Sequence, residues 1–143
     1  MQTTEVKSIK RINVVAVILV KKKSFLISKR PGNKIYSGFW EFPGGKVETN
    51  ESLKSALKRE IHEELDISIY EKDMEIFESY AVNRRNIMLN LNFFLCQTWL
   101  GNISANEGQQ IKWIRKNQIK NFKFLTSNQR VLEKLKCSVI PHN

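Results

Sequence analysis

The chain of 143 residues has 24 lysines and arginines against 14 aspartates and glutamates, which gives a formal net charge of +10. Its hydrophobic content of 41%, with 27% charged residues, indicates a globular protein and excludes a disordered chain. The length favours one domain with a core of its own, and the charge favours polyanionic partners such as nucleotides, RNA or DNA, with a merely solvated lysine-rich surface as the alternative.

Membrane and disulfide signals are both weak. The longest apolar run, residues 12–20, is too short to span a bilayer and has no small-residue cleavage site after it. Cys96 and Cys137 form neither a disulfide framework nor a metal-ligand pattern. We therefore expect a cytoplasmic protein with no membrane segment and no obligate protein partner.

The first part of the chain predicts short strands and loops. Apolar runs bounded by turn residues favour strands, and Pro and Gly clusters favour loops. The expected elements are a frayed terminus at 1–10, a buried strand at 12–20, a lysine turn at 21–23, a second strand at 24–28, a loop at 29–38 and a short strand at 39–42.

A helix is predicted over residues 51–65, with Thr49 or Asn50 as its N-cap. Its apolar positions recur at spacings of three and four, which places one stripe of the helix against a core. The stripe consists of Leu53, Ala56, Leu57, Ile61 and Leu65.

Three glutamates lie on nearly the same face of this helix, close to its carboxyl end. Glu60, Glu63 and Glu64 each lie two turns after an apolar residue, so their carboxylates do not point to open solvent. Carboxylates spaced in this way on a rigid helix suit a hard divalent cation such as Mg²⁺ or Mn²⁺. The alternative is an amphipathic helix whose acids pair with basic neighbours, for example Glu63 with Arg59.

The second part of the chain predicts a hairpin, a loop, a strand and a helix. The strand signal is alternation of apolar and polar residues, and Thr126 with Gln129 fits a capping box before the last helix. The expected elements are strands at 76–82 and 87–99 about a turn at 83–86, a polar loop at 101–110, a strand at 111–114 and a helix at 127–136. A mixed sheet between two helices is the predicted architecture.

The glycine turn and the helix together resemble the signature of a known family. Gly45, Glu51 and the run Arg59-Glu60-Ile61-His62-Glu63-Glu64 have the spacing of the Nudix box, found in hydrolases that cut nucleoside diphosphates linked to another moiety. Asp66 departs from the pattern, since the family usually has glycine there, but Asp also tolerates a left-handed backbone. The resemblance implies a single Nudix domain over residues 1–143, folded as an α/β/α sandwich with a mixed, partly antiparallel sheet.

Three further stretches resemble one branch of that family, the MutT-type pyrophosphohydrolases that remove 8-oxo-dGTP from the nucleotide pool. They are residues 25–30 with 40–46, residues 106–110 before the strand at 111–114, and residues 124–129. The resemblance implies that water attacks the β-phosphorus of a nucleoside triphosphate and releases a nucleoside monophosphate and pyrophosphate. It also implies Mg²⁺ as the cofactor, with Mn²⁺ as an alternative.

The same resemblance implies a set of metal ligands. Glu63 and Glu64 are expected to be the principal ligands, and the other contributions come from nearby carboxylates and one carbonyl oxygen. The full set is the Gly44 backbone carbonyl, Glu60, Glu63, Glu64 and Glu107. Without the resemblance, Glu107 would be interpreted as an ordinary loop acid.

Catalytic and substrate-binding residues follow from the resemblance as well. The general base is left open between Glu60 and Glu107, and Arg59 is expected to orient the glutamates. An amide presents a donor and an acceptor together, so the implied asparagine at the last helix can hydrogen-bond an oxidised guanine. The residues expected to contact substrate are Arg30, Phe42, Arg85 and Asn128.

Two other functions remain open at this point. The protein is alternatively a Nudix hydrolase of RNA 5′ triphosphates or of other nucleotides, which its positive charge favours. A second alternative is a regulator that has a Nudix scaffold and binds nucleotides or nucleic acid but does not catalyse a reaction. Three mutually repelling carboxylates in one helical turn argue against the regulator, because a pure binder does not need them.

Overall fold

The structure is a computed structural model that describes residues 9–140. The strands are β1 (Lys10–Lys21), β2 (Ser24–Lys29), β3 (Trp40–Glu41), β4 (Gly44–Lys46), β5 (Glu75–Arg84), β6 (Ile87–Cys96) and β7 (Ile111–Ile114). The helices are α1 (Leu53–Leu65) and α2 (Gln129–Cys137), with short 3₁₀ turns at Glu71–Asp73, Lys116–Asn121 and Thr126–Asn128.

The sheet is organised around β1. Along one side, β1 pairs in parallel with β6, from Lys10 opposite Ile87 to Leu19 opposite Cys96. On the other side it pairs antiparallel with β4 near its start and with β2 at its end. The remaining pairs, β2 with β3 and β7 and β5 with β6, are antiparallel. The predicted mixed, partly antiparallel sheet is confirmed.

Alternate residues of β1 point into two separate cores. Val15, Val17 and Leu19 pack in the cluster that contains the buried face of α1. The residues between them, Ile18 among others, pack in the cluster that contains the buried face of α2. Since successive side chains of a strand point to opposite faces, one strand supplies the centre of both layers. The sheet therefore lies between the two helices, as the α/β/α sandwich requires.

The first helix begins later than predicted, and neither Thr49 nor Asn50 caps it. Ser52 is the N-cap, and its hydroxyl accepts a hydrogen bond of 3.1 Å from the Ser55 backbone N–H. Asn50 instead has φ +69°, a left-handed turn conformation. At the other end, Asp66 has φ 59° and its N–H donates to the His62 carbonyl, so the position is left-handed as expected.

Other boundaries differ because of local backbone geometry. Arg85 and Asn86 both have positive φ and form a tight two-residue turn, so β5 extends to Arg84. The following strand ends at Cys96, three residues before the predicted end. The predicted capping box of Thr126 with Gln129 is wrong, because Thr126 lies inside a 3₁₀ turn and α2 has no side-chain cap bond.

Two expectations concern regions at the edge of the description. The frayed terminus expected at 1–10 lies, up to residue 8, outside the described residues, and Lys10 already belongs to β1. Within residues 9–140, no helix is both long enough and apolar enough to cross a membrane.

Candidate active site

A cavity of about 420 Å³ lies between the glycine turn, α1, β6 and the segment before α2. Its wall combines carboxylates, cations and apolar side chains, which is the mixture that a charged ligand with a planar base requires. The lining residues include Arg30, Lys34, Glu41, Phe42, Gly44, Gly45, Glu60, Glu64, Arg84, Leu91, Phe93, Glu107, Leu125 and Asn128.

Arg59 connects α1 with the segment that precedes it. Its Nε and Nη2 donate to the two carboxylate oxygens of Glu51, both at 2.8 Å, and Nη2 also donates to the Lys46 carbonyl at 3.2 Å. Its Nη1 donates to Glu60 Oε1 at 2.8 Å and lies 3.5 Å from Glu63 Oε2. The hydrogen bonds from Arg59 lower the pKa of Glu51 to about 2. One guanidinium thus holds the Glu60 carboxylate in place.

Glu64 differs from the other acids of the cavity because one of its carboxylate oxygens, Oε2, is buried and has no hydrogen-bond partner. Burial raises the pKa of Glu64 from 4.5 to about 9, and the nearby charges of Glu60 and Glu107 add to this. A carboxylate in such surroundings favours the approach of a cation.

The loop between β6 and β7 brings Glu107 to the same cavity. The N–H and the side-chain amide of Asn106 donate to the Glu64 and Glu63 carbonyls, at 3.0 and 3.2 Å. Buried Gln109 donates to the Glu64 carbonyl at 3.1 Å, and its Oε1 accepts from the Glu107 N–H at 2.9 Å. These bonds satisfy carbonyls at the carboxyl end of α1, which otherwise have no helical partner. The loop is therefore fastened to the helix that carries the acids.

The two glycines of the turn allow close approach in different directions. A Cβ at Gly44 would lie 2.0 Å from the Val15 carbonyl oxygen of β1. A Cβ at Gly45 would lie 2.4 Å from the carboxyl group of Glu60. The first glycine thus permits pairing of β4 with β1, and the second leaves space for the Glu60 carboxylate.

The segment before α2 closes the apolar part of the cavity. Asn128 is 6% exposed, and its side-chain Oδ1 is buried with no hydrogen-bond partner. Leu125 and Phe42 are also buried and line the cavity, and Phe42 packs against Phe93 with ring centroids 6.1 Å apart. A free acceptor beside apolar walls is suited to a planar heterocycle with a hydrogen-bond donor on its edge.

A comparison with known protein families identifies the family to which this chain belongs. A family model described as the NUDIX domain matches residues 14–134, which is most of the chain. The chain belongs to the Nudix family. The predicted resemblance to the Nudix family is therefore confirmed.

Two curated relatives and one solved structure illustrate where this Nudix protein stands. An 8-oxo-dGTP diphosphatase of Buchnera aphidicola subsp. Schizaphis graminum is 36% identical over 88% of this chain and 94% of its own length. A CTP pyrophosphohydrolase of Escherichia coli is 35% identical over 73% of this chain and 76% of its own. A MutT structure, from work on the Aliivibrio salmonicida and Vibrio cholerae proteins, is 34% identical with a TM-score of 0.78, covering 90% and 98% of the two chains.

The structure of this Nudix protein brings most of the predicted site residues to one cavity. The predicted residues that line it are Arg30, Phe42, Gly44, Glu60, Glu64, Glu107 and Asn128. Arg59 does not line the cavity but holds Glu60 from behind, and the Glu63 side chain is 57% exposed at the helix surface. Arg85 lies in the hairpin turn beyond the end of β5, whereas Arg84, the last residue of β5, lines the cavity.

Four residues of the site were not identified from the sequence. Glu41 accepts two hydrogen bonds from Arg30 Nη1, at 3.0 and 3.1 Å, and burial raises its pKa. Lys34 and Arg84 supply further positive charge to the cavity, and Gln109 fastens the Glu107 loop. Glu41 stands directly before Phe42 in the glycine-turn stretch, so a charged residue within that apolar run was the available signal.

The site is compatible with a divalent metal ion. Among the described residues, no three His, Cys, Asp or Glu side chains stand in an arrangement that holds a metal ion as they are. Nevertheless Glu60, Glu64 and Glu107 share one cavity, and Glu64 has a buried oxygen without a partner. An all-oxygen set of this kind is the ligand chemistry that Mg²⁺ and Mn²⁺ prefer.

Proposed function

We propose that this Nudix hydrolase converts 8-oxo-dGTP to 8-oxo-dGMP and pyrophosphate, and thereby removes an oxidised precursor from the nucleotide pool. The observation that carries the proposal is the cavity, which combines an unpartnered amide oxygen and apolar walls with three carboxylates. Similarity to the Buchnera 8-oxo-dGTP diphosphatase over 88% of the chain supports the same substrate.

Base discrimination is proposed to come from Asn128. Guanine presents an acceptor at N7, whereas 8-oxoguanine carries a hydrogen there and becomes a donor. The buried Oδ1 of Asn128 is an acceptor, so it bonds the oxidised base and stays unpaired beside guanine. A site that must leave a buried polar group unpaired rejects the wrong ligand strongly.

The acids are proposed to hold Mg²⁺, with Mn²⁺ as the alternative cation. The proposed ligands are the Gly44 carbonyl, Glu60, Glu63, Glu64 and Glu107. The bound cation supplies neutralisation of charge on the phosphate oxygens. For Glu63, whose side chain is exposed, ligation requires rotation about its side-chain bonds.

The remaining steps of the proposed mechanism use groups of this chain. Glu60 or Glu107 takes the proton of the attacking water, and Arg59 orients Glu60 through its 2.8 Å hydrogen bond. Arg30, Lys34 and Arg84 bring positive charge to the triphosphate. Attack of water at the β-phosphorus breaks its bond to the oxygen that bridges to the α-phosphate, so the nucleoside monophosphate leaves and the β- and γ-phosphates depart as pyrophosphate with the oxygen of the water.

A second candidate function is hydrolysis of another nucleotide. It is favoured by the 35% identity to a CTP pyrophosphohydrolase, and the net charge of +10 extends it to RNA 5′ triphosphates. A non-catalytic binder on the same scaffold is the third candidate. For any of these, we propose a single domain over residues 1–143, working in the cytoplasm without a membrane or an obligate protein partner.

The deciding experiment measures Mg²⁺-dependent turnover of 8-oxo-dGTP, dGTP, CTP, the other triphosphates and a 5′-triphosphorylated RNA, with products identified. We expect the highest kcat/KM for 8-oxo-dGTP, with monophosphate and pyrophosphate as products. A higher kcat/KM for CTP or for RNA would transfer the function to the second candidate. Metal binding without turnover of any substrate would establish the binder instead.

A further inference from the structure

Asn128 stands where an asparagine usually caps a helix, yet it does not do so. It directly precedes α2, and asparagine there ordinarily accepts a hydrogen bond from the free N–H of the second or third helical residue. In this structure Asn128 has φ −93° and ψ −1°, and its side chain makes no cap bond. Its Oδ1 is left without a partner at the cavity wall. Another group must therefore hold this segment in place.

The hydroxyl of Tyr80, on β5, is that group. It donates to the Ser127 carbonyl at 2.6 Å, one residue before Asn128. The backbone N–H of Val131, the third residue of α2, is one of the donors that a capping Asn128 would use. The phenol oxygen of Tyr80 thus holds the backbone next to Asn128, while Asn128 makes no cap bond of its own.

The Tyr80 ring is held independently of its hydroxyl. It stacks on Phe93 with ring centroids 5.7 Å apart and an interplanar angle of 23°. The Arg130 guanidinium lies over the Tyr80 ring, 5.1 Å from the ring centroid. Replacement of Tyr80 by phenylalanine is therefore expected to remove the hydrogen bond to the Ser127 carbonyl and keep the packing.

We propose that Tyr80 is a positioning residue that fixes the Ser127 backbone beside Asn128 and so keeps the Asn128 amide available to the base. This inference rests on the proposed function, in which Asn128 contacts the oxidised guanine. Without the hydroxyl, the Ser127 carbonyl is released, and the Asn128 side chain turns to accept from the Val131 N–H in the first turn of α2, the cap bond that asparagine ordinarily makes. The cavity then loses its acceptor.

The first test compares Tyr80→Phe with the matched control Tyr70→Phe, whose ring lies outside the cavity between Lys58 and Lys72. We expect Tyr80→Phe to lower the ratio of kcat/KM for 8-oxo-dGTP over dGTP by about tenfold, the effect of losing about one hydrogen bond. The kcat for dGTP and the midpoint of urea unfolding should stay close to wild type. Tyr70→Phe should change none of these values.

A double-mutant cycle distinguishes positioning from general damage. If Tyr80 acts through Asn128, then Asn128→Ala and the double variant Tyr80→Phe/Asn128→Ala have the same ratio. An unchanged ratio in Tyr80→Phe, in a protein where Asn128→Ala lowers it, overturns the inference. Further loss in the double variant, beyond that of Asn128→Ala, also overturns it.

A crystal structure of Tyr80→Phe gives an answer that does not depend on any substrate. Asn128 Oδ1 within hydrogen-bond distance of the Val131 N–H supports the inference, and an Asn128 side chain in its wild-type position overturns it. Absence of an 8-oxo-dGTP preference in the wild-type protein would instead refute the proposed function. The two failures are therefore distinguishable.

Discussion

At the scale of single residues, the most informative groups of the cavity are two buried side-chain oxygens that have no hydrogen-bond partner. They are Glu64 Oε2 and Asn128 Oδ1. Buried polar atoms without partners destabilise the folded state, so such atoms concentrate where a ligand completes them. One faces the acidic group of Glu60 and Glu107, and the other belongs to the residue proposed to bond the base.

Glu64→Gln is expected to change how stability depends on pH in the metal-free protein. The folded pKa of about 9 exceeds the ordinary 4.5, so the folded state holds this proton more tightly. The associated stability is fully present below about pH 4.5 and is lost as the pH rises through about 9. Urea unfolding in EDTA should therefore show a falling free energy of unfolding from about pH 5 to 9 in wild type, and a flatter profile in Glu64→Gln.

The matched control for that measurement is Glu133→Gln, which removes an exposed carboxylate of α2. It should keep the wild-type slope. An identical slope in Glu64→Gln and wild type would show that Glu64 is not the group that gains the proton on folding.

Asn128→Ala is expected to remove the preference for the oxidised base. It deletes the buried acceptor, so 8-oxo-dGTP loses a hydrogen bond whereas dGTP loses none. The ratio of their kcat/KM values should fall by roughly tenfold or more, mainly through the 8-oxo-dGTP value. Ser138→Ala, at the other end of α2, serves as the control, and an unaltered ratio in Asn128→Ala would move base recognition to another residue.

At the scale of elements, α1 and the glycine turn act as one unit. Arg59 bonds Glu51 before the helix, Lys46 in β4 and Glu60 within the helix. Gly45 packs directly against the same Glu60 carboxyl group. A planar guanidinium with five donors can make these contacts together, and a lysine ammonium cannot reproduce them.

The two glycines should respond differently to alanine. At Gly44 the new Cβ meets the rigid backbone of β1, so Gly44→Ala should destabilise the fold by about 1–3 kcal/mol or more. At Gly45 it meets the end of a flexible side chain, so Gly45→Ala should fold but displace Glu60 and lower kcat. Thermal unfolding and turnover separate the two, with Gly32→Ala as the control, because the nearest atom to a Cβ at Gly32 would be 4.0 Å away. Equal stability losses at both glycines would contradict the distinction.

The elements also show what the sequence can and cannot reveal. The buried face of α1 followed directly from spacings of three and four, and the left-handed Asp66 followed from its place after the helix. The pairing of β4 with β1 and the Arg30 to Glu41 ion pair were not predicted, because they depend on partners distant in sequence. The cavity position of Arg84 was not predicted, because the face on which a strand residue lies depends on where the turn begins, and a one-residue uncertainty inverts it.

At the scale of the whole molecule, the net charge of +10 bears on substrate capture. Lys34, Arg30 and Arg84 line the cavity, so part of this positive charge stands where the proposed substrate would bind. Long-range attraction accelerates encounter between opposite charges and is screened by salt. The charge is therefore expected to act on association and to leave the chemical step largely unaffected.

The salt dependence of turnover tests this expectation. Raising NaCl from about 50 to about 200 mM at fixed Mg²⁺ should lower kcat/KM for the triphosphate several-fold, while kcat changes little. Lys34→Gln should weaken the salt dependence, and Lys72→Gln, which removes a lysine outside the cavity, should leave it unchanged. A flat wild-type profile would show that the charge does not assist capture.

The alternation of β1 makes the position of the glycine turn in the active site depend on the register of this one strand. Its odd and even positions fill different cores, and the Val17 N–H bonds the Pro43 carbonyl beside the glycine turn at 2.9 Å. A slip of one residue would exchange the two sets of side chains and shift the backbone on which the turn rests. Insertions in β1 should therefore abolish folding and activity together. The register of this strand cannot change without affecting both the packing of the cores and the position of the active-site turn.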